Sequence, residues 1–89
     1  MIREPITIIN QLGLHARAAN KLVSTAMEYN SSVRLARDGQ EVDGKSIMSV
    51  MMLAASCGTD IELIIDGEDE HQARDALVAL INDRFGEGK

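Results

Sequence analysis

Apolar and polar positions follow two different periods along the chain, and the changes of period mark its elements. Ile6 to Ile9, with Thr7 among isoleucines, reads as a first strand. Pro5 stands at its start, where a missing N–H does least harm. Asn10 to Gly13 is a turn. Beyond it Ala19, Leu22, Val23, Ala26 and Met27 recur at i, i+3, i+4, i+7 and i+8, the spacing of one buried helix face. Lys21, Ser24, Thr25 and Glu28 fall opposite, and Asn30, Ser31 and Ser32 end the helix. Val33 and Leu35 then alternate with Ser32, Arg34 and Ala36 at strand spacing. Asp38–Gly39 is a two-residue hairpin signal, and Val42 continues the return strand to Asp43–Gly44.

Ser46 is placed to cap a short helix from Ile47 to about Leu53. Ile47, Met48, Val50, Met51, Met52 and Leu53 make that helix apolar almost all round. On so small a protein some of this surface, Met48 and Met52 first, is expected to face a partner rather than the core. Ser56 to Thr59 is a loop. Ile61, Leu63 and Ile65 alternate with Glu62 and Ile64 in a fourth strand that ends at Asp66–Gly67. Asp69, with Gln72 three residues on, reads as a capping box for a last helix. Its stripe is Ala73, Ala76, Leu77, Leu80 and Ile81, and Gly86 stops it.

The order β-α-β-β-α-β-α predicts an α+β sandwich, with helices on one face of a mainly antiparallel sheet. The other face would meet water, which Thr7, Arg34 and Glu62 allow. Ile9 and Ile64 fit that face less well and are expected at a covered edge.

Length and charge narrow the function classes. At 89 residues the chain forms one domain, 1–89. Such a chain supports one core but no deep cavity, so a surface site is expected. The net charge of −5 is uneven. Residues 1–59 carry net +1 and residues 60–89 net −6, which discourages nucleic acid and anionic membranes. With no Trp, one Phe and one Tyr there is no base-stacking platform either. The single Cys57 excludes an internal disulfide. No segment reads as a secretory signal or approaches the ~20 apolar residues of a membrane-spanning helix, so a cytoplasmic protein is expected.

Chemistry concentrates at GLHARAA, residues 13–19, where strand gives way to helix. The first N–H groups of a helix have no partner within it and, with the helix dipole, favour an anion. His15 stands at that seat and Arg17 two residues on. A guanidinium donates paired hydrogen bonds to phosphate oxygens. Near neutral pH an imidazole is largely neutral and nucleophilic. The pattern therefore points to a histidine that takes and gives up a phosphoryl group, against the alternative that His15 merely caps the helix. Ser46 is a helix cap first, although a phosphate there would also be well placed. His71, among Glu68, Asp69 and Glu70, reads as solvated, and Cys57 as a quiet loop thiol. No metal-ligand spacing, Walker loop or catalytic triad occurs, and no cofactor is expected.

GLHARAA at 13–19, GKSIM at 44–48 and GEDE at 67–70 together resemble HPr, the histidine-phosphocarrier family of the bacterial sugar phosphotransferase system. The resemblance spans essentially the whole chain. It implies an open-faced β-sandwich of four antiparallel strands with three helices on one face. It implies that His15 accepts a phosphoryl group at Nδ1 from phospho-Enzyme I and passes it to an enzyme IIA. Arg17, with the backbone of Ala16, Arg17 and Ala18, would hold the group. Ser46 matches the position that an HPr serine kinase modifies. Ile47, Met48 and Met51 match the apolar docking surface, with Lys21 and Lys45 as its basic residues. A monomer is expected, since contact with partners must be brief.

The chain departs from the family pattern at Ala18, where proline is usual, at Leu12, where a polar residue is common, and at Ser24 and Ser49, where basic residues are common. Alanine at 18 restores a backbone donor, which implies a looser first turn with one more contact for phosphate. Two neighbouring readings share the chemistry or the scaffold: a nitrogen-branch paralogue serving regulation, and acylphosphatase-like hydrolysis. A third, a non-catalytic interaction domain, would use the Met-rich helix alone.

Overall fold

A computed structural model describes all 89 residues. The elements are β1 (Ile2–Thr7), α1 (Ala16–Ala26), β2 (Ser32–Arg37), β3 (Gln40–Asp43), α2 (Ile47–Met52), β4 (Asp60–Asp66) and α3 (Glu70–Asn82). A 3-10 turn, Arg84–Gly86, follows α3. The order is the one the periodicity predicts.

The four strands form one antiparallel sheet in the order β1-β4-β2-β3. Because β4 lies between β1 and β2, the first helix crosses over a gap that the last strand fills. The β2–β3 hairpin turns at Asp38 and Gly39, both at positive φ (50° and 83°), the conformation a two-residue Asp-Gly connection favours. One face of the sheet carries the core with Val33, Leu35, Val42, Ile61, Leu63 and Ile65, against Leu22 and Val23 of α1, Val50 of α2, and Leu77 and Ile81 of α3. The other face is polar, with Arg3 bonded to Glu62, Thr7 to Asp60 and Arg34 to Glu41.

Several boundaries and faces differ from the expectations. The first strand starts at Ile2 and ends at Thr7, so Pro5 lies inside it and Ile8 and Ile9 beyond it. An edge strand tolerates this, because one side of its backbone needs no ladder partner. Ile64 does point to the open face, yet it is only 5% exposed. The register sets Arg3 on one side of it and Arg34 on the other, long side chains whose methylene stems are able to cover an apolar neighbour. Met27 is exposed and terminates α1, and Ala18 takes its place in the buried stripe.

The capping box at the start of α3 does not form. The Asp69 side chain turns away from its own helix and accepts from the N–H groups of Asn30 and Ser31 and from the Ser31 hydroxyl. It thereby ties the α1–β2 connection to the start of α3. Ser46 does cap α2, accepting from the Ser49 N–H at 3.3 Å.

The last helix ends at Asn82, before the stop expected at Gly86. Arg84 and Phe85 both take positive φ (54° and 53°) and turn the tail back across the domain. Phe85 is fully buried. Burying a side chain of that size gains roughly 1.5–3 kcal/mol, which offsets part of the strain of the two residues.

Candidate functional site

Residues 10–16 carry the site, and their backbone leaves little freedom. Gly13 sits at φ +67°, and a Cβ there would lie 2.6 Å from the Ala55 carbonyl oxygen and 2.8 Å from Ser56 Cα. Only glycine fits. Next to it the Leu14 N–H donates to the Ala55 carbonyl at 2.9 Å, which fixes the turn against the chain leaving α2. That chain is itself held by Arg37, whose Nη1 donates to the carbonyls of Leu53 and Ala54.

His15 occupies the N-cap position of α1 with extended backbone angles (φ −75°, ψ 178°), but its side chain makes no capping bond. The imidazole is thus free of the structural duty that a capping histidine would have. The first intrahelical bond runs from the Ala19 N–H to the His15 carbonyl at 2.8 Å. The N–H groups of Ala16, Arg17 and Ala18 precede it and have no helical acceptor. Ala16 and Arg17 are exposed, whereas Ala18 is buried against the core. Arg17 extends into solvent with no ion pair holding its guanidinium.

The imidazole is engaged from the other side. Its Nε2 lies 2.5 Å from Oε2 of Glu87, with the two side chains 30% and 11% exposed. The second oxygen, Oε1, accepts from Asn10 Nδ2 at 3.0 Å, and the same Asn10 amide donates to the Gly13 carbonyl at 2.8 Å. Burial alone would push the Glu87 carboxyl up. The hydrogen bonds from His15 and Asn10 and the charges of His15 and Lys21 outweigh it and hold the group below its ordinary value. His15 Nδ1 makes no hydrogen bond within the chain. Leu12, His15, Ala16, Arg17, Gly86, Glu87 and Lys89 together line an open surface depression.

The basic residues expected to meet partners have internal work as well. Lys21 Nζ donates to the Phe85 carbonyl at 2.6 Å, and Lys45 Nζ to the Tyr29 carbonyl at 2.8 Å. On α2, Ile47, Met48 and Met51 are exposed, as are Met52 and, on the His15 turn, Leu12. Ser46 is half-buried at the head of that helix, His71 is exposed, and the exposed Cys57 thiol lies against the Ile9 carbonyl rather than on the imidazole. No cluster of side chains could hold a metal ion, and no helix is long and apolar enough to cross a membrane.

Asn10 and Glu87 are the site residues that the sequence did not disclose. Asn10 reads as a turn residue, and Glu87 as the far side of a helix stop. No signal in the sequence marks either one: the burial that obliges the Asn10 amide to find partners exists only in the fold.

Residues 2–83 match the family model for the PTS HPr component phosphorylation site. The chain is 55% identical over 89 residues to phosphocarrier protein HPr of Cupriavidus necator, with each chain covered in full. It is 59% identical over 85 residues to that of Pseudomonas aeruginosa, covering 94% of each. Among solved structures, HPr-C-His from Thermoanaerobacter tengcongensis superposes with a TM-score of 0.95 at 42% identity, covering 98% of both chains.

Proposed function

The chain belongs to the HPr family of phosphocarriers, and from that premise we propose that His15 is the residue that carries the phosphoryl group. The His15 Nδ1 lone pair attacks phosphorus on phospho-Enzyme I, itself charged from phosphoenolpyruvate. The bond from phosphorus to its donor atom on Enzyme I breaks as the P–Nδ1 bond forms. An acceptor on an enzyme IIA later takes the group by the same exchange in reverse, and His15 returns to the neutral imidazole. The carrier works as a single chain, between two partners in turn.

One observation supports this reading above the others. A half-exposed imidazole, free of any capping bond, stands beside three backbone N–H groups without helical acceptors and an unengaged guanidinium. The phosphoryl oxygens find donors in Ala16, Arg17 and Ala18. Each exposed electrostatic contribution is worth about 0.3–1 kcal/mol, a scale that holds the group and still releases it. Ala18 adds an N–H that a proline would lack. The exposed Ile47, Met48 and Met51 form the docking surface, and Lys21 and Lys45 contribute positive charge at its margins. Ser46 is the acceptor for a regulatory serine kinase, its added charge falling at a helix start next to that surface.

Incubation with Enzyme I and labelled phosphoenolpyruvate tests the assignment. Acid-labile, base-stable label is expected on the wild type and absent from His15→Ala. Label retained in His15→Ala would overturn it. Release of inorganic phosphate without an acceptor protein would instead favour a hydrolase.

A further inference from the structure

We propose that Glu87 is a positioning residue for His15, fixing the imidazole with its proton on Nε2 and its lone pair on Nδ1; the proposal rests on the phosphocarrier reading above. The carboxylate is not a loose feature of the tail. Oε2 sits 2.5 Å from Nε2 and Oε1 3.0 Å from the amide of Asn10, a residue with no solvent exposure. The tail that delivers it is fastened on both sides. Phe85 is buried upstream, with its carbonyl held by Lys21, and downstream the Gln11 N–H donates to the main-chain oxygen of Lys89 at 2.9 Å. Asn10, Gln11, Gly13 and His15 all belong to one turn, so that turn presents the nucleophile and grips the group that orients it.

The chemical consequence follows from the donor inventory. An ionised carboxylate only accepts, so Nε2 must be the protonated nitrogen. The neutral ring then has its lone pair on Nδ1, the nitrogen that faces no partner in the chain. As Nδ1 bonds to phosphorus the ring gains positive charge, and the proton stays on Nε2. The carboxylate beside it stabilises that charge without taking the proton, as an acid residue does behind a catalytic histidine. When the P–Nδ1 bond breaks, its electron pair returns to Nδ1 and the neutral ring is restored.

Glu87→Ala removes both the acceptor and the charge, whereas Glu87→Gln keeps an acceptor and removes only the charge. Imidazole-detected ¹⁵N NMR at neutral pH reads the first effect without any partner protein. The wild type should show a slowly exchanging His15 Nε2–H; Glu87→Ala should lose it and Glu87→Gln retain it. The second effect is read as the rate of phosphorylation by Enzyme I. It should fall on the order of ten-fold in both Glu87→Gln and Glu87→Ala, since both lack the charge, the low end for a hydrogen bond to a charged group in a partly exposed site. A wild-type proton on Nδ1, or an Nε2–H signal unchanged in Glu87→Ala, would overturn the proposal. A wild type that Enzyme I cannot label would instead overturn the carrier reading, and the NMR comparison would still decide the role of Glu87.

Discussion

Asn10 and Glu87 stand 77 positions apart in the chain, yet the Asn10 amide donates to the Glu87 carboxylate at 3.0 Å. The bond joins the first loop to the last residues and closes the site on its far side. Asn10 is also what shapes the loop, through its second bond to the Gly13 carbonyl. One buried side chain therefore sets both the turn that carries His15 and the group that meets its ring.

Asn10→Ala should destabilise the protein by about 1–3 kcal/mol, since two hydrogen bonds lose their donor in a buried setting. The urea midpoint should fall with little change in slope. A midpoint equal to that of the wild type would mean that solvent replaces the amide without cost.

Gly13 and Gly39 allow a paired test of why a glycine is needed. Both have positive φ, +67° and +83°, but a Cβ at Gly39 meets nothing within 4 Å. Gly39→Ala should therefore cost only the left-handed backbone penalty, roughly 1–2 kcal/mol. Gly13→Ala adds collisions with the backbone of Ala55 and Ser56 and should cost clearly more. It should also slow phosphorylation of His15, because relieving the clash moves the turn. Equal losses in the two variants would show that the contact with residues 55–56 yields easily.

The contrast between what the sequence disclosed and what it did not follows the range of the interactions. Element types and order were legible because periodicity is local, and Asp38–Gly39 and Ser46 act within their own turns. GLHARAA was legible for the same reason, being one continuous segment. Asp69 was misread because its carboxylate has two uses. The local pattern offers the first turn of α3, while the fold offers three donors from Asn30 and Ser31. Pro5 and Ile64 were misplaced because the edge position of β1 and the arginines flanking Ile64 exist only once the sheet order is known. Glu87 reaches His15 through three successive residues at positive φ, Arg84, Phe85 and Gly86, a reversal that no hydrophobic period encodes.

Asp69 gives stability a defined acid dependence. The Ser31 hydroxyl, then the Asn30 N–H, and after them the Ser31 N–H hold its carboxyl below the ordinary 3.8, against a smaller opposing effect of burial. A folded value below the unfolded one adds stability above the unfolded value, and that stability is lost as pH falls through the folded value. Melting temperature should therefore drop from about pH 4 downward, and Asp69→Asn should flatten part of that slope while lowering stability at neutral pH. An Asp69→Asn curve parallel to the wild type would show that the contact to residues 30–31 carries no charge dependence.

Met48 and Met27 separate docking from folding. Both are strongly exposed, 71% and 65%, so neither contributes much burial to the fold. Replacing either by Glu should leave stability within about 0.5 kcal/mol. Their places differ. Met48 lies on α2, whose exit loop is bonded to the His15 turn through Leu14 and Ala55, whereas Met27 ends α1. At about 1.5 Å per residue, that end is on the order of 18 Å from His15 along the helix. A charge buried unpaired beneath a partner costs well over 1 kcal/mol, so Met48→Glu should raise the KM for Enzyme I by on the order of ten-fold or more, with kcat less affected. Met27→Glu should leave KM unchanged. Equal KM values for the two variants would remove α2 from the docking surface and leave the partners to approach His15 by another face.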